Sequence, residues 1–96
     1  MQVQILDEAE QDLLEGAQFY ENQIAGLGQY FLDSLFSDID SLQIYGGIHS
    51  VHFGYHRLLS KRFPFAIYYR VENNVAHVTA ILDFRQDPER VRKRLN

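Results

Sequence analysis

The longest alternation of apolar and polar residues lies between Arg57 and Asp83, and it predicts two paired strands. From Phe63 to Val71 the odd positions are Phe, Phe, Ile, Tyr and Val, the period-two pattern of a strand with one buried face. Glu72-Asn73-Asn74 interrupts this pattern, and asparagine tolerates the positive φ of a tight hairpin turn. Residues 75–82 are apolar on both faces, which predicts a central strand covered on both sides.

The first half of the chain predicts one short strand and two helices. Gln2–Leu6 alternates as a strand does, and a helix from an Asp7 N-cap to about Asn22 is followed by a second helix from about Leu27 to Leu42. Each helix carries an apolar stripe at helical spacing. The two stripes comprise Ala9, Leu13, Ala17, Tyr20 and Ile24 in the first helix, and Phe31, Leu32, Leu35, Ile39 and Leu42 in the second.

Two further elements complete the predicted fold. Ser50–Leu59 alternates and predicts a third long strand, and Asp87-Pro88 predicts the start of a short C-terminal helix with Asp87 as its N-cap. The chain shows no linker or repeat, and 96 residues suffice for one core. We therefore expect a single α+β domain over residues 1–96, ordered βααβββ, in which two antiparallel helices pack on one small, mostly antiparallel sheet.

Composition limits the classes of function. The chain has no cysteine, which excludes a disulfide scaffold, a thiolate zinc site and a cysteine nucleophile. It has no apolar run of about 20 residues for a membrane span, and its first residues lack the basic start of a signal peptide. A cytoplasmic protein without membrane partners is expected.

Charge is distributed very unevenly along the chain. The net charge is −4, yet residues 1–56 hold nine acids and no Lys or Arg, whereas residues 57–96 hold nine basic residues against four acids, a balance of +5. The basic half is suited to an anionic or acidic partner, or the two halves attract each other within the fold. The overall acidity disfavours a general nucleic-acid binder and sequence-specific DNA binding by this chain alone.

Histidines, tyrosines and carboxylates yield few candidates for catalysis. His52 and His56 would lie about 13 Å apart along one strand, too far to share a tetrahedral ion, so no metal site is predicted. Among the aromatic residues, only Tyr68, beside Arg70, is expected to contribute to surface chemistry. The helix acids are expected to face solvent; they are Glu8, Glu10, Asp12, Glu15, Asp33, Asp38 and Asp40.

Three arginines lie in, or just after, three successive predicted strands. Arg57, Arg70 and Arg85 could converge on one sheet face or rim, where guanidinium groups would bind a phosphate or carboxylate. Alternatively, each pairs with a local acid such as Glu72 or Asp83. The residues alone leave both interpretations open.

A series of short motifs spans nearly the whole chain in a characteristic order. They are Glu8-Ala9-Glu10-Gln11-Asp12-Leu13, Tyr20-Glu21, Gly26-Leu27-Gly28, Phe31-Leu32, Arg57-Leu58, Arg62-Phe63-Pro64-Phe65, Ile67-Tyr68-Tyr69-Arg70-Val71 and Arg85-Gln86-Asp87-Pro88. In this order and spacing the chain resembles the RelE/ParE toxin superfamily of bacterial type II toxin–antitoxin systems, and within it the ParE or plasmid stabilization branch. The resemblance implies the βααβββ fold, a cognate antitoxin as partner and no cofactor.

The resemblance implies one of two activities. ParE-like toxins inhibit DNA gyrase without established chemistry of their own, and the target-binding candidates are then Arg57, Arg62, Tyr68, Arg70 and Arg85. RelE-like toxins cleave mRNA on the ribosome, which requires a base, cations for the phosphate and an acid. The candidates for that chemistry are Arg57, Lys61, Arg85, His56 and His77.

The sequence departs from the nuclease pattern near its end. Many relatives carry a histidine where Asp83-Phe84 stand, and neither residue supplies an imidazole acid. His56 or His77 would have to substitute for it. The ParE-like interpretation is therefore preferred, with the ribosome-dependent endoribonuclease second and a non-toxic protein that only binds its antitoxin third. In each case a bare, apolar groove between helices and sheet would favour antitoxin docking.

Overall fold

The computed structural model describes all residues, 1–96, as a five-stranded sheet with helices on both faces. The strand order is β1-β5-β4-β3-β2, with β1 parallel to β5 and every other pair antiparallel. The predicted α+β architecture is confirmed, with one strand and one short helix more than expected. The elements are β1 Gln2–Ile5, α1 Asp7–Glu21, α2 Leu27–Asp40, α3 Leu42–Tyr45, β2 Val51–His52, β3 Tyr55–Leu59, β4 Phe65–Glu72, β5 Val75–Asp83 and α4 Pro88–Leu95.

Helices α1 and α2 cover one face of the sheet and form the larger core. The predicted stripes, whose last residue Leu42 lies in α3, are buried or half-buried there with the inward residues of β4 and β5. Ile24 is the exception, since it lies beyond the end of α1 and is 65% exposed. The two helices approach closely at Gly16, where an added Cβ would lie only 2.6 Å and 2.8 Å from ring atoms of Phe31. The Phe31 ring thus occupies the space that a side chain at position 16 would need.

Helix α4 covers part of the opposite face. Its Val91 and Leu95 pack against Tyr55 and Tyr68 in a second, smaller core. Tyr68 is only 2% exposed, so the prediction that it lies at the surface beside Arg70 was wrong. Alternation along β4 had assigned Tyr68 to the correct face, but it gave no sign that the C-terminal helix would cover that face.

Strand β5 is covered on both faces, as predicted, only in its second half, because His77 and Thr79 line an open depression. A bulge determines which of its residues enter each core. Tyr68 is in register with Ala80 and Tyr69 with Val78, which leaves Thr79 as an extra residue. The bulge reverses the alternation, so Val78 enters the larger core and Ala80 the smaller one.

Turn residues explain where the strands begin and end. Asn73 and Asn74 both have positive φ, 51° and 60°, as predicted for the central hairpin. Phe53 and Gly54 also have positive φ, 56° and 84°, and form a second tight turn that splits the predicted strand 50–59 into β2 and β3. Strand β4 begins at Phe65 rather than at Phe63, which is nevertheless buried.

The predicted helix caps have different outcomes. The Asp87 carboxylate accepts the Glu89 N–H at 3.0 Å, which confirms it as the N-cap of α4. Asp7 is instead the first helical residue of α1, and Leu6 at the N-cap position supplies no side-chain hydrogen bond.

None of the helices has both the length and the apolarity that crossing a bilayer requires.

Two helix acids predicted to face solvent are buried, and each fixes a helix to the sheet. Asp12 is 9% exposed and Asp38 6% exposed. Asp12 accepts the Ile81 N–H at 2.9 Å, at a point where β1 has ended and β5 has no strand partner on that side. Asp38 accepts the Ser60 hydroxyl at 2.7 Å and so holds the β3–β4 connection against α2.

Candidate target-binding site

The structure brings together two of the three arginines that the sequence singled out. Arg57 on β3 lies opposite Tyr68, and Arg70 extends from β4 on the same face, the one that α4 partly covers. Arg85 lies beyond the end of β5, where its guanidinium forms a 2.7 Å ion pair with Asp83. The local ion pair proposed as the alternative is therefore correct for Arg85. The hydrogen bond from the Arg85 side chain, more than any other effect, lowers the pKa of the Asp83 carboxyl.

Arg70 fixes the β2–β3 turn as well as contributing charge. Its guanidinium carbon lies 4.0 Å from the centre of the Tyr55 ring, and its Nε–H donates to the Gly54 carbonyl at 3.2 Å. Beside it is a depression of about 320 Å³, lined by Leu6, Tyr55, Arg70, Glu72, His77 and Thr79. This part of the sheet face therefore combines an aromatic ring, a cation and an imidazole.

Arg57 is the most unusual of the candidate side chains. Its Nε is buried without any hydrogen-bond partner. An unpaired buried donor costs about 1–3 kcal/mol, so the burial of this Nε is unfavourable for the fold. Lys61 and Arg62 follow on the exposed β3–β4 connection, and none of these three cations forms an ion pair within the chain.

The two histidines considered for catalysis lie on opposite faces of the sheet. His56 stacks on Tyr69 with ring centres 5.1 Å apart, and its Nδ1–H donates to the His49 carbonyl at 2.7 Å. His77 is in register with Arg70 on the α4 side. Only His77 thus shares a face with Arg57, and the five nuclease candidates do not form one cluster. No group of three or more His, Asp or Glu side chains is placed to hold a metal ion.

Sequence reasoning missed the network around Tyr69. The Tyr69 hydroxyl is hydrogen-bonded to His49 Nδ1, and it accepts the Gly47 N–H at 2.9 Å. Together with the His56–His49 hydrogen bond, this holds the segment between α3 and β2 against the sheet. The Gly46-Gly47 pair indicated a loop, but no local pattern could pair His49 with a tyrosine twenty positions later.

This network predicts a pH-dependent stability. Burial, and then the nearby His56, lower the pKa of His49. The unfolded chain therefore binds a proton at His49 more readily than the folded chain, and stability should fall as pH falls below the ordinary histidine value towards the folded pKa. Urea denaturation between pH 7 and 5 should show a shallower pH dependence in His49→Gln than in the wild type. His52→Gln is the control, and equal slopes for wild type and His49→Gln would contradict the assignment.

A separate groove lies between α1 and the end of β5. It has a volume of about 250 Å³ and is lined by Asp12, Glu15, Gly16, Phe19, Tyr20, Phe65, Ile81, Leu82, Asp83 and Gln86. Half of these residues are hydrophobic, and one of them, Phe19, is 56% exposed. The groove thus offers apolar surface with a mostly acidic rim, in contrast to the basic β3–β4 side.

The order of elements and strands defines a small α+β fold of the ParE/RelE type. A chain of the chromosomal ParDE TA (toxin–antitoxin) system from P. aeruginosa superposes on this chain with a TM-score of 0.76. The two chains are 20% identical, and the match covers 84% of this chain and 92% of the other. No protein-family model matches the sequence, and no curated protein matches it. The similarity establishes the ParE/RelE-like fold predicted from the motifs.

Proposed function

We propose that this chain is the toxin of a type II toxin–antitoxin pair, that it inhibits DNA gyrase by binding it, and that a cognate antitoxin neutralises it. The observation that carries the proposal is the likeness of the fold to a chain of a ParDE system. Binding without chemistry is favoured because the candidate acid, base and cations lie on different faces and loops.

The distribution of charge supports a protein target. Arg57, Lys61 and Arg62 are free of intramolecular ion pairs and follow one another along β3 and the loop after it. Arginine is enriched at the energetic centres of protein interfaces, where it binds carboxylates through two parallel hydrogen bonds. The groove beside α1 provides a second, apolar surface for the antitoxin.

A RelE-like endoribonuclease is the second candidate, and one observation favours it. Arg57, Arg70 and His77 share a sheet face, and Arg70 and His77 line the same depression. On that face the arginines would stabilise the phosphate and His77 would protonate the leaving oxygen. A non-toxic protein that only binds its antitoxin is the third candidate.

Pulse-labelling after induction of this chain alone in bacteria distinguishes the three. If DNA synthesis stops first and a DNA-damage response follows, the gyrase proposal is supported. Arrest of protein synthesis first, with mRNA cut inside reading frames, would replace it with the nuclease. Normal growth with soluble, folded protein would leave only antitoxin binding.

Alanine at both Arg57 and Arg85 should weaken toxicity while the domain stays folded. Truncating an interface arginine that dominates binding costs about 2 kcal/mol, roughly a thirtyfold loss of affinity. The matched control is alanine at Arg90 and Lys93, two cations of α4 without ion pairs. Full toxicity of the Arg57/Arg85 variant, with circular dichroism and melting unchanged, would show that neither arginine contributes to target binding.

A further inference from the structure

The loop between β3 and β4 runs from Ser60 to Pro64 and is closed by backbone hydrogen bonds. At its base the Ser60 N–H donates to the Phe65 carbonyl at 2.9 Å. The Phe65 N–H donates to the Phe63 carbonyl at 2.8 Å, and the Phe84 N–H donates to the Pro64 carbonyl at 3.0 Å. The base and the second half of this β3–β4 loop therefore have little conformational freedom.

A buried aromatic ring holds the second half of the loop against the helices. Phe63 is 9% exposed, and its ring centre lies 4.8 Å from that of Tyr20, 5.0 Å from that of Phe31 and 5.6 Å from that of Tyr30. Movement of the loop away from α1 and α2 would withdraw this ring from the cluster and expose apolar surface to water. Phe63 therefore opposes such a movement.

A buried carboxylate holds the first half of the loop. Asp38 on α2 is 6% exposed, and its Oδ2 accepts the Ser60 hydroxyl at 2.7 Å and, more weakly, the Lys61 N–H at 3.4 Å. Asp38 forms no ion pair with the Lys61 ammonium. This acid therefore fixes the backbone of the loop and leaves its cations unneutralised.

The two residues between these anchors, Lys61 and Arg62, are both cations. Both are exposed, and neither forms an ion pair within the chain. Ordering a mobile loop when a partner binds weakens the complex, and a loop that is already ordered avoids this loss of affinity. The β3–β4 loop thus presents two adjacent positive charges on a preformed backbone.

We propose that Asp38 is a positioning residue, which holds the β3–β4 loop in the conformation in which Lys61 and Arg62 together bind carboxylates of the protein target. Arginine binds a carboxylate through two parallel hydrogen bonds and lysine supplies a compact charge, so neighbouring acidic side chains match the two cations. The inference rests on the proposed function, because the partner is the target that the toxin inhibits. Asp38 is buried and acts only through the loop.

Charge and position predict opposite effects of removing Asp38. Its carboxylate lies close to the two cations of the loop, so loss of its negative charge alone would strengthen the binding of an anion. Loss of its hydrogen bonds would weaken binding, because the partner would then have to order the loop. Weaker anion binding by Asp38→Ala therefore cannot be an effect of charge.

The test is titration of the full chain with citrate, a small tricarboxylate, followed through the amide chemical shifts of Lys61 and Arg62. Asp38→Ala should bind citrate about tenfold more weakly, the expected effect of ordering about one residue of backbone. Both hydrogen bonds go to one Asp38 oxygen, which Asp38→Asn retains, so this variant should bind at least as tightly as the wild type. Asp40→Ala, the matched control, removes an exposed charge from the same helix and should not weaken binding. Unchanged or tighter binding by Asp38→Ala would overturn the proposal.

Further variants separate positioning from general stability. Ser60→Ala breaks the same hydrogen bond from the loop side and should reproduce the loss, whereas Ser60→Thr keeps the hydroxyl and should bind as the wild type does. Ile39→Val destabilises the packing of α2 in the larger core but keeps the Asp38 hydrogen bonds, so citrate binding should not change. NMR relaxation should show that Asp38→Ala lowers backbone order at residues 61 and 62 and leaves β4 unchanged. Loss of binding in Ile39→Val, or an equally ordered loop in Asp38→Ala, would overturn the proposal.

Nucleic acid is the other class of anionic partner. A thymidine oligonucleotide with the same net charge as citrate, binding the same two amides much more tightly, would assign the loop to nucleic acid and overturn the proposal. None of these measurements depends on toxicity. A chain that arrests no growth, but loses citrate binding in Asp38→Ala, would refute the proposed toxin function and retain the role of Asp38.

Discussion

Replacing Asp12 with alanine is expected to lower the free energy of unfolding by about 3 kcal/mol, because it leaves two partners of a buried carboxylate unsatisfied. The Asp12 carboxylate accepts hydrogen bonds from both terminal nitrogens of the Arg94 guanidinium, each at 2.8 Å, and from the Ile81 N–H at 2.9 Å. It thus joins α1, α4 and the unpaired side of β5 at one point. Chemical denaturation, read at constant m-value, measures the loss.

The matched control is Glu8→Ala. Glu8 bonds the same Arg94 at 3.2 Å, but its side chain is 75% exposed, so its removal should cost no more than about 0.5 kcal/mol. A double-mutant cycle with Arg94→Ala then isolates the Asp12–Arg94 coupling. A similar small loss for Asp12→Ala and Glu8→Ala would mean that solvent replaces the buried contacts, contrary to the expectation.

Local patterns predicted most of the fold. Alternation in residues 63–71, the Asn73-Asn74 turn and the Asp87-Pro88 start each depend on neighbours in sequence. The structure confirms the turn and the helix start, and it confirms the strand from Phe65 onwards. Asp12 and Tyr68 were misjudged because their burial depends on α4, which meets them only in the folded chain. The Phe53-Gly54 turn was missed because its flanking residues continue the alternation without a break.

Only the parts of the candidate site that lie on adjacent strands could be predicted from the sequence. Arg57 and Arg70 lie on adjacent strands with side chains on the same face, so their proximity follows from alternation. Arg85 lies in a loop, where alternation does not predict which way a side chain points. Its ion pair with Asp83, two residues earlier, determines its position. The anchoring of the β3–β4 loop depends on Asp38 and Ser60, which are distant in sequence.

Phe31→Ala should destabilise the domain by about 4 kcal/mol, the usual cost of removing a fully buried phenylalanine. Phe31 is 0% exposed and contacts three aromatic rings, with ring centres 5.3 Å away at Tyr20 and 5.0 Å away at Phe63 and Phe65. Phe36, on the same helix but 42% exposed, is the control, and its alanine variant should lose less than about 1.5 kcal/mol. Urea denaturation of both variants compares a buried with an exposed ring on one helix.

The same ring predicts a reversal of sign at Gly16. In the wild type, Gly16→Ala should cost about 2 kcal/mol, because the new Cβ would meet Phe31 ring atoms at 2.6 Å and 2.8 Å. In the Phe31→Ala background those atoms are gone, and alanine is favoured over glycine inside a helix by about 1 kcal/mol. Gly16→Ala should then stabilise the domain, a coupling of about 3 kcal/mol between two residues in contact. If Gly16→Ala destabilised both backgrounds equally, the Phe31 ring could not be the reason that α1 carries a glycine at its centre.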